Sequence, residues 1–255
     1  LTKGQVLTKP LILKILEKGI KGVYVESKIS ANIEVKEIID KRVVNKTLND
    51  LKKMFEKFAH SSRIIKDNIT EVKDMASVLV NSMLNNDEVM INLSSLKDYD
   101  NYTYTHSLSV ALLCITIGIK MGMRESSLID LACCGLLHDI GKMAVPLSIL
   151  NKPGVLTEEE FSIIKQHPTI AYEHLEGTQA LSSAVLRGIE SHHEKYDGSG
   201  YPKGLKARYI PLYGRVLAVE DVYDALTSDR PYREARFAHE AIEYMMGCAN
   251  THFDM

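Results

Sequence analysis

Between Pro10 and Pro146 the chain contains no proline, and from Val44 to Leu84 it contains no glycine either. A stretch that long without a helix breaker or a turn former is confined to helix, provided its apolar residues have helical spacing. They do: Leu48, Leu51, Phe55 and Phe58, then Ile65, Ile69, Val72, Ala76, Leu79 and Met83, recur at intervals of three and four. The spacing predicts one long helix, or two with a break near His60-Ser61-Ser62. Its Lys- and Glu-bearing face is solvated, and its apolar stripe packs or dimerises.

The flanks read differently. Residues 1–44 mix short apolar runs with turn signals. Leu11, Ile12, Ile15 and Leu16 follow Pro10 at helical spacing and stop at Gly19, and Val23-Tyr24-Val25 is β-prone, so a small α/β subdomain is expected. Residues 99–255 alternate helical patterns with polar turns. In one of them Thr157 stands at the N-cap and Glu160 at the capping-box position. The expected architecture is mainly α: a small α/β piece (1–44), a long helical linker or dimerisation segment (45–98), and an all-helical domain of five or more helices (99–255).

With 31 Lys+Arg against 33 Asp+Glu, the net charge of −2 gives no broad basic field, so neither a nucleic-acid duplex nor an anionic membrane surface is an expected partner. The stretch SVALLCITIGIKMGM is too short and too interrupted to span a bilayer, and no signal-peptide pattern appears. The chain opens on Leu1 and closes on FDM, which reads as a piece excised from a longer protein. Cys114, Cys133, Cys134 and Cys248 form no CxxC and read as small buried hydrophobes in a reducing, cytoplasmic compartment.

Nine histidines remain, and their contexts divide them. His106 (YTYTHSLSVALL), His138-Asp139 (LLHDIGK), His167 (KQHP), His192-His193 (ESHHEKYDGSG) and Asp221 (VEDVYDAL) each lie on or at the end of an expected helix, beside apolar residues. A polar side chain there is costly without a ligand or partner. Imidazole and carboxylate donors without thiolate suit iron, manganese, zinc or another N/O-bound metal. Seven donors exceed what one ion needs, and a carboxylate able to bridge points to a two-metal centre. On a helix His138 and Asp139 would diverge by about 100°, which favours a bridging Asp139 over chelation by the pair. His60, His174, His239 and His252 lack such contexts. His174, seven residues after His167, is the one that could share its helix face.

The strings LLHDIGK, HHEKYDGSGYPKGL and IPLYGRVLAVEDVYDALTSDRPYREA, in that order over roughly residues 100–255, resemble the HD-GYP family, a bacterial branch of the HD phosphohydrolase superfamily. LTKGQVLTKPLILKILEKGIKGVYV looks like the small amino-terminal domain often attached to such proteins. The resemblance implies a helical HD-type catalytic domain with a di- or trinuclear iron or manganese centre that hydrolyses cyclic di-GMP. One metal would take His106, His138, Asp139 and Asp221. The second would share Asp139 and take His167, His192 and His193. Asp224, one turn past Asp221, would orient neighbours. Trinuclear members carry a Glu four residues before the first ligand His; here Tyr102 stands there, and a phenol with a pKa near ~10 is a poor ligand, so two metals are expected. Lys195 replaces a usual Arg, and Glu220 a usual Ala.

Lys142, just after HDIG, is placed to act as a phosphate clamp. Gly200-Tyr201-Pro202 lies in a glycine-rich loop that suits either a substrate lid, with Tyr201 against a guanine, or a docking surface for a partner signalling domain. By resemblance Arg230 and Arg233 meet the phosphates or guanine of the dinucleotide. Two other readings stand beside the cyclic di-GMP phosphodiesterase: the same centre acting on another cyclic dinucleotide such as cyclic GMP-AMP, and a weakly active or inactive signalling adaptor. The expected product is linear pGpG, GMP or both.

Overall fold

A computed structural model describes residues 5–18, 25, 39–61, 66–85, 102–229 and 234–254. The chain divides into two compact units, Leu1–Lys36 and Glu37–Met255. In the first, α1 (Lys9–Glu17) starts at Thr8 with Pro10 in its opening turn, where a missing N–H costs nothing. The β-prone Val23-Tyr24 lies outside the described residues.

Among its described residues the second unit is built of helices joined by loops: α2 (Lys41–Ser61), α3 (Lys66–Leu84), α4 (Tyr102–Lys120), α5 (Glu125–Leu137), α6 (Leu147–Leu150), α7 (Glu158–Ile164), α8 (His167–Glu176), α9 (Ser183–Glu190), α10 (Leu212–Thr227) and α11 (Ala238–Gly247). The glycine-free segment thus gives two helices, α2 ending at Ser61. Both lie inside the second unit, and their stripes join its core: Leu51, Phe55, Phe58, Ile69, Val72, Ala76, Leu79 and Met83 are all buried. Each of the larger side chains contributes ~1.5–3 kcal/mol by leaving water, and Ala76 less. The apolar stripe is therefore largely consumed within the chain.

The organising helix is α5, which packs against α3, α4, α9 and α10. Every residue from Leu131 to Leu137 is buried, as befits a helix apolar all round. Cys133 and Cys134 lie there, and Cys114 is buried in α4; burial pushes all three thiols up. Cys248, expected to be buried too, is only partly so, because it caps α11. The crossing of α4 and α5 depends on Gly135, where an added Cβ would run into the backbone of Ala111. The capping box of α7 is realised: Thr157 Oγ1 accepts from the Glu160 N–H at 3.2 Å, and the Thr157 N–H donates to Glu160 at 2.8 Å.

Candidate metal centre

Five chain segments deliver seven donors to one place. His106 lies one turn into α4; Tyr102 opens that helix, and its side chain lies outside the described residues. His138 caps the C-terminus of α5. There the chain leaves the α-helix, and Asp139 (φ −95°, ψ 2°) begins a 3-10 turn over Ile140–Ala144. The α-helix itself ends at Leu137, and His138 Nε2 and Asp139 Oδ2 are 3.5 Å apart. Gly141 keeps this turn against the start of α8, since a Cβ there would meet the carbonyl of His167. His167 opens α8, His192 and His193 follow the C-cap of α9, and Asp221 sits mid-way along α10.

The hydrogen bonds fix the tautomers. His138 Nδ1 donates to the Gly135 carbonyl (2.9 Å), His167 Nδ1 to that of Ile164 (2.8 Å) and His192 Nδ1 to that of Ile189 (2.6 Å). A ring nitrogen facing a carbonyl oxygen must carry the proton, so in the neutral ring Nε2 keeps its lone pair, the arrangement typical of metal-ligating histidine. His106 Nδ1 faces Asp224 Oδ2 at 2.7 Å, which gives Asp224 the orienting position expected of it. The inward nitrogens then crowd: His106 Nε2 lies 3.2 Å from His138 Nε2, and His167 Nε2 lies 3.2 Å from His192 Nε2. Two facing lone pairs at that distance call for a cation or a proton between them.

Asp139 stands between the two groups. Its Oδ2 is 3.7 Å from His106 Nε2, and its Oδ1 is 3.5 Å from His167 Nε2. Buried Oδ1 accepts no hydrogen bond among the described residues. An orphaned carboxylate oxygen inside a protein is expensive unless an ion takes it. His106 Nε2 also lies 3.2 Å from Asp221 Oδ1. The donor atoms of His106, His138 and Asp139 lie within 4.8 Å of one another, as do those of His167, His192 and His193. This donor set fits divalent metal.

The electrostatics agree. Burial, reinforced by positive neighbours, holds His167 down to about 3 and His193 to about 4 despite nearby carboxylates, and lowers His192 as well. These rings are neutral at pH 7 and ready to ligate. Burial also opposes charge on His106, but its bonds to Asp221 and Asp224 prevail and raise it to about 9. A proton thus occupies His106 where a cation can replace it. Burial disfavours ionised Asp139, yet His138 and Lys142 hold its carboxyl well below the ordinary range.

Lys142 reaches inward, its Nζ 2.7 Å from Asp139 Oδ2. The ring of Tyr201 lies on that of His193, centroids 4.8 Å apart and 31° out of parallel, and the Tyr201 N–H donates to the His193 carbonyl at 3.1 Å. The loop carrying Gly200-Tyr201-Pro202 is pinned by Glu194, which the sequence reading did not single out. Its buried carboxylate accepts the N–H groups of Lys203 (2.7 Å) and Leu205 (2.9 Å). Its only sequence signal was an acidic residue directly after the His pair. His174 is no ligand: its Nδ1 donates to Ile170, and its ring abuts Phe58 of α2. Glu220 is buried with its carboxyl pushed up to about 8, by burial and then by Asp224. Arg230 and Arg233 lie outside the described residues. No helix among the described residues is long and apolar enough to cross a membrane.

The chain is 42% identical over 181 residues to a cyclic di-GMP phosphodiesterase of Pseudomonas aeruginosa, covering 71% of this chain and 44% of that protein. It is 44% identical over 158 residues to a cyclic di-GMP phosphodiesterase of Thermotoga maritima (60% and 42%). It is 38% identical over 157 residues to a 3'3'-cGAMP-specific phosphodiesterase of Vibrio cholerae (62% and 36%). The chain thus spans less than half the length of these relatives. An HDG"Y"P protein of Bdellovibrio bacteriovorus shares the fold, with a TM-score of 0.67 at 21% identity over 96% of this chain and 76% of that one. The HD domain model matches residues 62–255, a stretch that contains all seven donors, and the chain belongs to the HD domain family.

Proposed function

We propose that this protein hydrolyses cyclic di-GMP at a centre of two divalent metals, iron or manganese. One observation carries the reading: two clusters of inward-facing donors share a single buried carboxylate, Asp139, one of whose oxygens has no hydrogen-bond partner among the described residues. His106, His138, Asp139 and Asp221 would hold one ion; Asp139, His167, His192 and His193 would hold the other. Bound divalent metals supply Lewis acidity, acidifying water and neutralising phosphate charge.

The chain's own groups do the rest. Asp224 fixes the ring of His106, and the carbonyls of residues 135, 164 and 189 fix three others, so the donors are preorganised and need no rearrangement. Lys142 brings an ammonium to the site and clamps a non-bridging phosphate oxygen. Tyr201, laid over His193, walls the opening and gives a guanine a ring to rest against. Arg230 and Arg233 take the phosphates or the guanine edge, as the resemblance implies. The Gly200-Tyr201-Pro202 loop also offers a face for a partner signalling domain, and a homodimer is part of the same reading. Unpaired Cys114, Cys133, Cys134 and Cys248 are consistent with a cytoplasmic setting.

The test is anaerobic purification, metal analysis per chain, and chromatography of cyclic di-GMP with the wild type and Asp139→Ala. Two metals per chain and product only from the wild type are expected. Fewer than two metals with no product overturns the reading, and close to three overturns the two-metal count. Running 3'3'-cGAMP in parallel identifies the other substrate class.

A further inference from the structure

Beyond Tyr201 the ring stack continues to a residue that neither the metal centre nor the core explains. Phe161, on α7, meets Tyr201 edge-on, with centroids 6.3 Å apart and planes at 83°. Tyr201 in turn covers His193. Phe161 is 44% exposed, so part of its ring is open to a ligand. It is also held firmly: the capping box fixes the first turn of α7, and Glu160, its neighbour, binds Lys152 at 2.6 Å. One turn on, Lys165 places its ammonium 5.1 Å from the Phe161 ring centroid. Two perpendicular aromatic rings form a corner that takes a planar base, its face on one ring and its edge toward the other. A lysine beside such a corner donates to the O6 and N7 acceptors of guanine, whereas adenine presents an N6 amino donor in place of O6.

We infer that Phe161 and Lys165 form a purine subsite at the outer end of the His193–Tyr201 stack. Phe161 supplies the stacking face for one base of the cyclic dinucleotide, and Lys165 favours guanine over adenine there. The inference rests on the proposed cyclic dinucleotide phosphodiesterase activity and names residues that select its substrate. Neither residue is among the donors of the metal centre, so both act as specificity residues and their effects belong in KM.

Steady-state kinetics of the metal-loaded full chain on cyclic di-GMP and 3'3'-cGAMP test this, with Phe161→Ala, Phe161→Trp and Lys165→Met. Phe161→Ala is expected to raise KM for cyclic di-GMP about tenfold or more with kcat within about twofold, and Phe161→Trp to restore it. Lys165→Met is expected to narrow the preference for cyclic di-GMP over 3'3'-cGAMP severalfold. Thermal melts establish that each variant is folded; were Phe161→Ala unstable, the Lys165→Met preference ratio, which compares two substrates on one protein, decides the matter. An active wild type whose KM and preference survive these changes overturns the subsite alone. A wild type that cleaves neither dinucleotide overturns the activity and the subsite with it.

Discussion

Gly135→Ala tests whether the metal centre is set by helix packing. The substitution adds one methyl group to a helix interior, which by propensity alone stabilises by roughly 0.5–1 kcal/mol. In this structure the new Cβ would lie 2.6 Å from the backbone nitrogen of Ala111 and 2.9 Å from its Cβ. Relaxed contacts need about 3.5 Å, and no flexible side chain is available to yield, so α4 and α5 must separate by the better part of ~1 Å. Overpacking of this kind costs about 1–3 kcal/mol, and a backbone collision belongs at the upper end. The net expectation is a loss of ~2 kcal/mol, or about 4–8 °C in Tm for a chain of this size.

The same displacement reaches the site. His138 follows Gly135 by three residues and His106 precedes Ala111 by five, and their Nε2 atoms are 3.2 Å apart. Metal–ligand distances tolerate about ±0.2 Å, so metal affinity should fall tenfold or more. The assay pairs calorimetric melts of chelated protein with competitive metal titration, and Gly247→Ala is the control. Gly247 ends α11 with open space where its Cβ would stand, and alanine there should raise Tm slightly and leave metal binding unchanged. A Gly135→Ala protein as stable as wild type would refute the packing argument. One that melts early yet binds metal normally would refute the link from packing to site.

Asp224→Asn keeps the shape but removes the charge that holds His106, and metal affinity should drop ~10–100-fold by competitive titration while the fold survives. Glu194→Ala leaves the Lys203 and Leu205 N–H groups without their acceptor, at a cost of roughly 1–3 kcal/mol. Limited proteolysis should then cut the loop around Gly200 first, and wild-type and variant loops cut at equal rates would count against its pinning role. The chelated protein should lose stability as pH falls from about 6.5 toward 4. Folded His167 stays neutral over that window and folded His193 over most of it, with values of about 3 and 4, whereas the unfolded chain takes up those protons at the ordinary value. Stability is therefore fully present above the unfolded value and lost on acidification. His167→Gln should flatten this dependence in a series of melts, and an unchanged slope would argue against the buried neutral ring.

What could be read in the sequence was whatever is written in neighbouring residues. The glycine-free stripes of α2 and α3 showed which residues would be buried, and Thr157 with Glu160 marked the start of α7. The histidine contexts were legible for the same reason, each being a polar residue embedded in an apolar run. The unread part is non-local. Nothing adjacent to Leu51 or Leu79 says that their partners belong to the same chain, and a stripe that looks ready to dimerise is mostly satisfied within the second unit. Likewise, helical periodicity around His138 and Asp139 could not register that α5 ends at Leu137 and that Gly141 lets the following turn lie against His167. Glu194 and Phe161 escaped notice because their roles depend on a loop and a ring dozens of residues away in one case and a few in the other, joined only by the fold. The proposed ligands carry their chemistry in their own side chains, so sequence exposes them. The residues that aim, pin and wall them act through backbone atoms and ring faces, and only the fold shows which atoms those are.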